Sequence, residues 1–110
     1  MTKLNDFGKG RALDVSCGDG RVTRELLLRY FDKIDMFDQC KEGIEKCKAL
    51  KRDNPEKIDR VDIYQMQTFK WKERYDRVFL TWCTGYLTND ELINFLKKAK
   101  SYLNTGNKRK

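Results

Sequence analysis

The residues best suited to chemistry lie in a glycine turn near the start of the chain and in an aspartate after the next apolar segment. The turn belongs to the stretch ALDVSCGDGRVT, residues 12–23, in which an apolar run precedes Gly18 and Gly20. Glycine lacks a Cβ, so its backbone can approach a ligand closely, and the following helix offers free N–H groups. Asp38 closes the segment KIDMFD, where a carboxylate can accept hydrogen bonds from both hydroxyls of a ribose. Arg21 can bind a ligand carboxylate through two parallel hydrogen bonds.

The glycine turn has two interpretations that the turn by itself leaves open. A G-x-G pattern is also typical of a tight connection between a strand and a closely packed helix. Asp38 favours ligand binding, because ligands of parallel sheets bind beyond the carboxyl ends of the strands, beside the first glycine turn. We therefore expect a nucleotide-like ligand at this turn.

The elements that must position these residues alternate between strand and helix. Apolar and β-branched runs predict four strands, at residues 11–15, 33–38, 61–65 and 76–83. Apolar residues at helical spacing predict three helices, at residues 21–31, 41–53 and 88–103, the first with an apolar face of Val22, Leu26, Leu27 and Tyr30. This alternation predicts an α/β fold with a mostly parallel sheet and right-handed crossovers.

The last helix carries the clearest start signal in the chain. Thr88 is the expected N-cap, Glu91 completes a capping box, and Leu87 and Leu92 are placed to form a hydrophobic staple. We expect one apolar stripe to face the core, formed by Leu92, Phe95, Leu96, Ala99 and Leu103. The lysines off this stripe, Lys97, Lys98 and Lys100, are expected in solvent near the negative end of the helix dipole.

Length and charge limit the classes of protein that the chain can be. With 110 residues, it is expected to form a single domain, residues 1–110. The net charge of +7 is compatible with an acidic partner or nucleic acid. The lysines and arginines are spread along every predicted helix instead of forming one patch, so nucleic-acid binding is not the expected function.

Cysteine usage and hydropathy point to a reduced compartment. The four cysteines include no C-x-x-C pair and the chain has no histidine, so we expect no metal site. No apolar run approaches the roughly 20 residues that span a bilayer, so we expect no membrane partner. The expected localisation is cytoplasmic, nuclear or both.

Four stretches occur in an order that is specific to one enzyme family. They are ALDVSCGDGRVTRELLL, IDMFD, MQTF and YDRVFLTWCTGYLT, and together they span most of the chain. In this order they resemble the motifs of the protein N-terminal α-amino methyltransferases, which depend on S-adenosylmethionine. The resemblance implies a Rossmann-like class I methyltransferase fold, a three-layer αβα arrangement of which the first four strands and their helices are present.

The resemblance also implies how a bound S-adenosylmethionine is held. The backbone of Ser16, Gly18 and Gly20 would curve around its methionine end, with Arg21 at its carboxylate. Asp38 and Gln39 would hold the ribose, and Met66 and Gln67 the adenine. Thr81 stands where the family has a glutamine that contacts the cofactor.

Substrate recognition and catalysis are implied at the end of the fourth strand. Trp82 matches a tryptophan that lines the channel for the substrate, and Tyr86 stands where the family has a histidine, which makes it the candidate catalytic residue. The implied substrates are proteins with an exposed X-Pro-Lys-like N-terminus, methylated on the α-nitrogen. Three positions depart from the family pattern: Ser16 replaces a glycine, Thr81 a glutamine and Tyr86 a histidine.

Two functions from different classes stay open on the sequence. One is methyl transfer to protein N-termini. The other is a methyltransferase-fold interaction subunit, or a fragment, that at most binds the cofactor. In the family the sheet continues beyond the fourth strand, so a completing subunit is a partner to expect.

Overall fold

Four parallel strands form the sheet that carries the rest of the described structure. The computed structural model describes residues 10–80 and 87–104. Within them the strands are β1 (Arg11–Val15), β2 (Lys33–Asp38), β3 (Ile58–Ile63) and β4 (Arg77–Leu80), in the spatial order β3-β2-β1-β4. Every described strand pair is parallel, which confirms the predicted α/β fold with a parallel sheet.

Strand bounds follow the predictions at β1 and β2 and depart from them at β3. The prediction placed the third strand at residues 61–65, whereas β3 begins at Ile58 and ends at Ile63. Asp59, which lies before the predicted start of this strand, is part of β3 and pairs with Arg11 at 2.7 Å. The fourth strand is described as Arg77–Leu80, and the rest of its predicted range lies outside the described residues.

The first helix, α1, spans residues 21–30 and differs in two ways from its prediction. Phe31 is extended rather than helical, so the predicted end at residue 31 is wrong by one residue. The stretch Thr23–Leu27 is π-helical, which changes the angular position of the residues around the axis. As a result Thr23 is buried, and Leu26, expected on the apolar face, is 36% exposed.

The second helix, α2, has the predicted bounds, Lys41–Asp53. Ile44 and Cys47, which are three residues apart and so lie on one face of the helix, are buried. The helix ends at Asp53, and the amide of Asn54, the C-cap residue, donates to the carbonyls of Leu50 and Lys51 at the last turn.

The third helix, α3, spans Asn89–Ser101 and begins at the predicted cap. The Thr88 hydroxyl accepts from the Glu91 amide at 3.1 Å, and the Glu91 carboxylate accepts from the Thr88 amide at 2.9 Å, which confirms the capping box.

The predicted apolar stripe of α3 is correct only in part. Phe95 and Ala99 are buried, but Leu96 is 43% exposed and was wrongly assigned to the core face. Leu103 lies beyond the helix and forms an isolated bridge with Tyr75 instead. The three lysines expected in solvent, Lys97, Lys98 and Lys100, are exposed.

Two apolar clusters cover the two faces of the sheet. Successive strand residues point to opposite faces, so Ala12 and Leu13 of β1 belong to different clusters. The first cluster holds residues of α1 and α2, including Leu27 and Ile44. The second holds Phe95 of α3. The helices therefore lie on both faces of the sheet, which is the layered arrangement of the expected class I fold. Among the described residues, no helix is long and apolar enough to span a bilayer.

A buried ionic network joins the start of β1 to the middle of β2. The Asp35 carboxylate, which is 1% exposed, accepts a hydrogen bond from the Tyr75 hydroxyl at 2.7 Å. Arg11 donates to both oxygens of the same carboxylate at 3.0 Å. A buried charge requires such partners, so the network fixes β1 and β2 relative to the segment that precedes β4.

Candidate functional site

The glycine turn between β1 and α1 has a backbone in the left-handed region at three of its residues. The φ angles are 55° at Ser16, 58° at Gly18 and 87° at Gly20. Only glycine adopts this region without strain, and a residue with a side chain costs about 1–2 kcal/mol there. The amide of Cys17 donates to the carbonyl of Phe37 at 2.9 Å, so the turn is attached to the end of β2.

The turn lies directly against α2, and small residues make this possible. A Cβ added to Gly43 would lie 2.5 Å from the carbonyl oxygen of Gly18. A Cβ added to Gly20 would lie 3.2 Å from the Cys47 sulfur. Gly43 was not among the predicted site residues, although a single glycine inside a helix is a signal of close packing.

Asp38 links the turn to the start of α2. Its Oδ2 accepts a hydrogen bond from the Gly18 amide at 2.7 Å, and its Oδ1 accepts one from the Cys40 amide at 2.8 Å. Each carboxylate oxygen has a second lone pair, so these bonds leave acceptors for the hydroxyls of a ligand. The sequence predicted Asp38 as a ribose-binding residue, and in the structure it also positions the turn.

Asp14 is a buried carboxylate beneath the turn whose role the sequence did not predict. Its Oδ2 accepts from the Thr23 hydroxyl at 2.8 Å, while its Oδ1 has no hydrogen-bond partner among the described residues. Burial raises the pKa of Asp14 to about 6, opposed by the Thr23 hydrogen bonds and increased slightly by the charge of Asp38. The unpaired oxygen can accept a further hydrogen bond. An aspartate that ends an apolar run was the available signal.

A small cleft beside the turn brings together four of the predicted site residues. Its volume is about 10 Å³, and the predicted residues that line it are Ser16, Gln39, Met66 and Gln67. Met66 is buried within the second apolar cluster, and Gln67 is exposed. The cleft therefore places Met66 and Gln67, expected at the adenine, beside Ser16, expected at the methionine end.

Arg21 lies apart from this cleft. Its side chain is largely exposed, and its Nε atom is 3.9 Å from a carboxylate oxygen of Glu25, one turn along α1. The expected contact of Arg21 with a ligand carboxylate stays a prediction.

A larger cavity lies on the other side of the Met66–Thr68 turn, against α3. It has a volume of about 190 Å³ and is lined by Met66, Phe69, Trp71, Glu91 and Phe95, among others. No residue of the glycine turn lines it. Met66 and Gln67 line both spaces, but of the two only the small cleft also includes Ser16 and Gln39.

The remaining predicted residues are those at the end of the fourth strand. Thr81, Trp82 and Tyr86 lie outside the described residues, so their expected roles stay predictions.

Comparison with known proteins identifies the chain at the family level. Residues 2–107 match the model of the AdoMet-dependent proline di-methyltransferases. The N-terminal Xaa-Pro-Lys N-methyltransferase 1 of Danio rerio is 34% identical over 97 residues, which cover 87% of this chain and 44% of that protein. The alpha N-terminal protein methyltransferase 1 of Caenorhabditis elegans is 36% identical over 108 residues, which cover 96% of this chain and 46% of that protein.

One solved structure agrees with the family match. A SAM-dependent methyltransferase from Leishmania major superposes with a TM-score of 0.78 at 26% identity, over 93% of this chain and 40% of that one. The chain therefore spans about half the length, or less, of the relatives that it matches.

Proposed function

This chain belongs to the family of AdoMet-dependent proline di-methyltransferases, and from that premise we propose that it methylates the α-amino group of protein N-termini. Two relatives above 30% identity are named as methyltransferases of protein N-termini, one of them of Xaa-Pro-Lys sequences. The observation that carries the proposal is the bond of Asp38 to the Gly18 amide at 2.7 Å, which joins two predicted cofactor-binding residues.

The residues present fit S-adenosylmethionine. The unpaired Asp14 oxygen is a suitable acceptor for its α-ammonium group, because the interaction also offsets the cost of the buried carboxylate. The second lone pairs of Asp38 suit its ribose hydroxyls. When bound, the cofactor supplies an electrophilic methyl group on a sulfonium.

The chain contributes to the transfer chiefly by position. Holding an amine in line with a reacting methyl group turns an encounter of two molecules into a step within one complex. An N-terminal α-amine has a pKa of about 8 and is partly neutral at pH 7, so a strong base is not required. Tyr86 is the proposed acceptor for a hydrogen bond from that amine, and Trp82 the proposed wall of the channel. The proton lost by the amine passes to water.

The experiment that tests the proposal measures binding and transfer separately. Titration calorimetry with S-adenosylhomocysteine should give a saturable isotherm for the wild type. The variant Asp38→Ala should weaken it by roughly a hundredfold, since it removes a hydrogen-bonding charge worth about 1.5–3 kcal/mol. Asp53→Ala, at the far end of α2, is the matched control and should bind normally.

Transfer is then measured with a labelled methyl group and an X-Pro-Lys peptide. The same peptide with an acetylated N-terminus is the control, because its α-nitrogen is no longer nucleophilic. If only the peptide with the unmodified N-terminus is labelled, the proposal is supported. If the acetylated peptide is labelled as well, transfer to the α-amino group is contradicted.

A second candidate function is cofactor binding without transfer, in an interaction subunit completed by another chain. The observation that favours it is Ser16, which holds a left-handed backbone at the turn with φ 55°. The Ser16 side chain occupies space at the turn where the methionine end of S-adenosylmethionine is expected to bind. Saturable binding of S-adenosylhomocysteine without label in either peptide would identify this function.

A further inference from the structure

Two cysteines are in contact beneath the glycine turn. The sulfur atoms of Cys17, in the turn, and Cys47, in α2, are 3.5 Å apart. Both side chains are buried, with exposed fractions of 8% and 0%. A disulfide bond is about 2.0 Å long, so the two sulfur atoms have to approach each other by about 1.5 Å to bond.

The backbone around this pair is already closely packed. Gly43 and Cys47 lie one helical turn apart on α2, and the Gly18 carbonyl lies against both of them. The Cys47 thiol donates to that carbonyl with a sulfur-to-oxygen distance of 3.4 Å. On its other side, Gly18 donates its amide hydrogen to the Asp38 carboxylate, with a nitrogen-to-oxygen distance of 2.7 Å. Any movement of Cys17 towards α2 therefore acts on the residue that Asp38 holds.

We propose that Cys17 and Cys47 form a reversible dithiol–disulfide pair that locks the glycine turn onto α2 and weakens cofactor binding at that turn. The part that concerns the cofactor rests on the proposed function. Closing the disulfide removes the thiol hydrogen that the Gly18 carbonyl accepts, and it draws the turn away from the geometry in which Gly18 bonds to Asp38.

The oxidant for this step is hydrogen peroxide, which is small enough to reach a nearly buried sulfur. The sulfur of Cys17 attacks one peroxide oxygen, the O–O bond breaks, and one water leaves with a sulfenic acid remaining on Cys17. The sulfur of Cys47 then attacks the oxidised sulfur, which forms the S–S bond and releases a second water. Two electrons pass from the thiols to the peroxide, and both thiol protons end in the waters.

Local chemistry affects the rate of the first step. The hydrogen bond with Cys47 and burial together raise the pKa of the Cys17 thiol above its usual range. Less of the nucleophilic thiolate is present at neutral pH, so oxidation should be slow there and faster in alkaline solution.

The test treats the full chain with hydrogen peroxide and analyses it by intact mass, peptide mapping and titration with S-adenosylhomocysteine. We expect the loss of two hydrogen atoms, a cross-linked peptide that joins Cys17 to Cys47, and affinity reduced roughly tenfold, the effect of about one lost hydrogen bond. Dithiothreitol should restore both the mass and the affinity.

Three cysteine variants separate the pair from general oxidation. Cys47→Ser keeps a hydroxyl donor for the Gly18 carbonyl but cannot form the disulfide, so peroxide should give neither the cross-linked peptide nor the loss of two hydrogen atoms. Cys17→Ala lacks the sulfur that peroxide attacks first, so peroxide should leave its affinity unchanged. Cys40→Ser removes the exposed cysteine at the start of α2 and should respond as the wild type does. If Cys47→Ser does not fold, Cys17→Ala provides the same comparison.

The outcomes distinguish the inference from the proposed function. Peroxide treatment without a Cys17–Cys47 peptide overturns the inference, as does a cross-linked chain whose affinity is unchanged. A reduced chain that does not bind S-adenosylhomocysteine contradicts the proposed function instead. In that case the peptide map still shows whether Cys17 and Cys47 form a disulfide.

Discussion

At the scale of single residues, Asp14 links the candidate site to the stability of the fold. It is fully buried, its Oδ2 bonds to Thr23, and its pKa is raised by burial from 3.8 to about 6. A raised carboxyl pKa means that the folded state binds the proton more tightly than the unfolded state. The ionised carboxylate therefore destabilises the fold fully above pH 6, and this cost disappears as the pH falls below about 4.

The variant Asp14→Asn should reveal this dependence on pH. The asparagine carbonyl still accepts the Thr23 hydroxyl, but it carries no charge. We expect the free energy of unfolding of the wild type, relative to the variant, to rise by up to about 3 kcal/mol between pH 7 and pH 4. Urea denaturation across this range measures it.

Thr23→Val provides the internal check on Asp14. The Thr23 hydroxyl stabilises the ionised carboxylate, so its loss should raise the folded-state pKa and move the upper end of the transition to higher pH, while the lower end stays near pH 4. A stability difference that is independent of pH would show that Asp14 has the same pKa in the folded and unfolded chain.

At the scale of secondary-structure elements, the contact between the glycine turn and α2 decides where the site lies. At Gly43 this contact leaves no room for a side chain, because an added Cβ would lie 2.5 Å from the carbonyl oxygen of Gly18. Backbone atoms cannot rotate away as a flexible side chain does, so either the turn or the helix would have to move. The helix therefore borders the candidate site, although none of its side chains was predicted to touch a ligand.

The variant Gly43→Ala tests this contact. In an exposed helix position the change stabilises by about 1 kcal/mol, because alanine has the higher helix propensity. Here we expect the opposite sign, a loss of about 1–3 kcal/mol as in other overpacked sites, together with weaker binding of S-adenosylhomocysteine. Chemical denaturation and titration calorimetry measure the two effects.

Lys46→Ala, on an exposed position of the same helix, is the matched control for Gly43. It should change the free energy of unfolding by less than about 0.5 kcal/mol. If Gly43→Ala stabilises the chain as an ordinary helix position would, the close contact is absent in solution.

At the scale of the whole molecule, segments far apart in the chain meet around Tyr75. Its hydroxyl donates to Asp35 of β2, and its amide donates to the carbonyl of Tyr102 at 2.8 Å, just after α3. Its carbonyl accepts from the amide of Asn104 at 2.7 Å. Tyr75 thus ties the sheet interior to the segment that follows the last described helix.

Removal of the Tyr75 hydroxyl should destabilise the whole chain. In Tyr75→Phe the buried Asp35 carboxylate loses a partner at 2.7 Å, so we expect a loss of about 1–3 kcal/mol in thermal or urea unfolding. Tyr102→Phe is the control, because it keeps the ring that stacks on Trp71, and it should change stability by less than about 0.5 kcal/mol. If both variants lose the same free energy of unfolding, the hydrogen bond from Tyr75 to Asp35 does not stabilise the chain more than an ordinary surface hydroxyl does.

The sequence alone determined the parts of this protein that depend on neighbouring residues. The bounds of β1, β2 and α2 and the capping box at Thr88 follow from spacing and end signals within a few residues. The order of strands and helices led to the parallel sheet, and the order of four motifs led to the family that the comparisons identify. These features rest on local propensity and pattern, which the printed sequence contains in full.

Only the tertiary structure decided which residues distant in the chain share a site. The unpaired oxygen of Asp14, the contact of Gly43 with the turn and the sulfur pair of Cys17 and Cys47 all depend on the packing of separate elements. So does the exposure of Leu96, whose spacing alone had placed it in the core. Packing depends on how several elements fill one volume together, and the spacing within any one of them does not determine it.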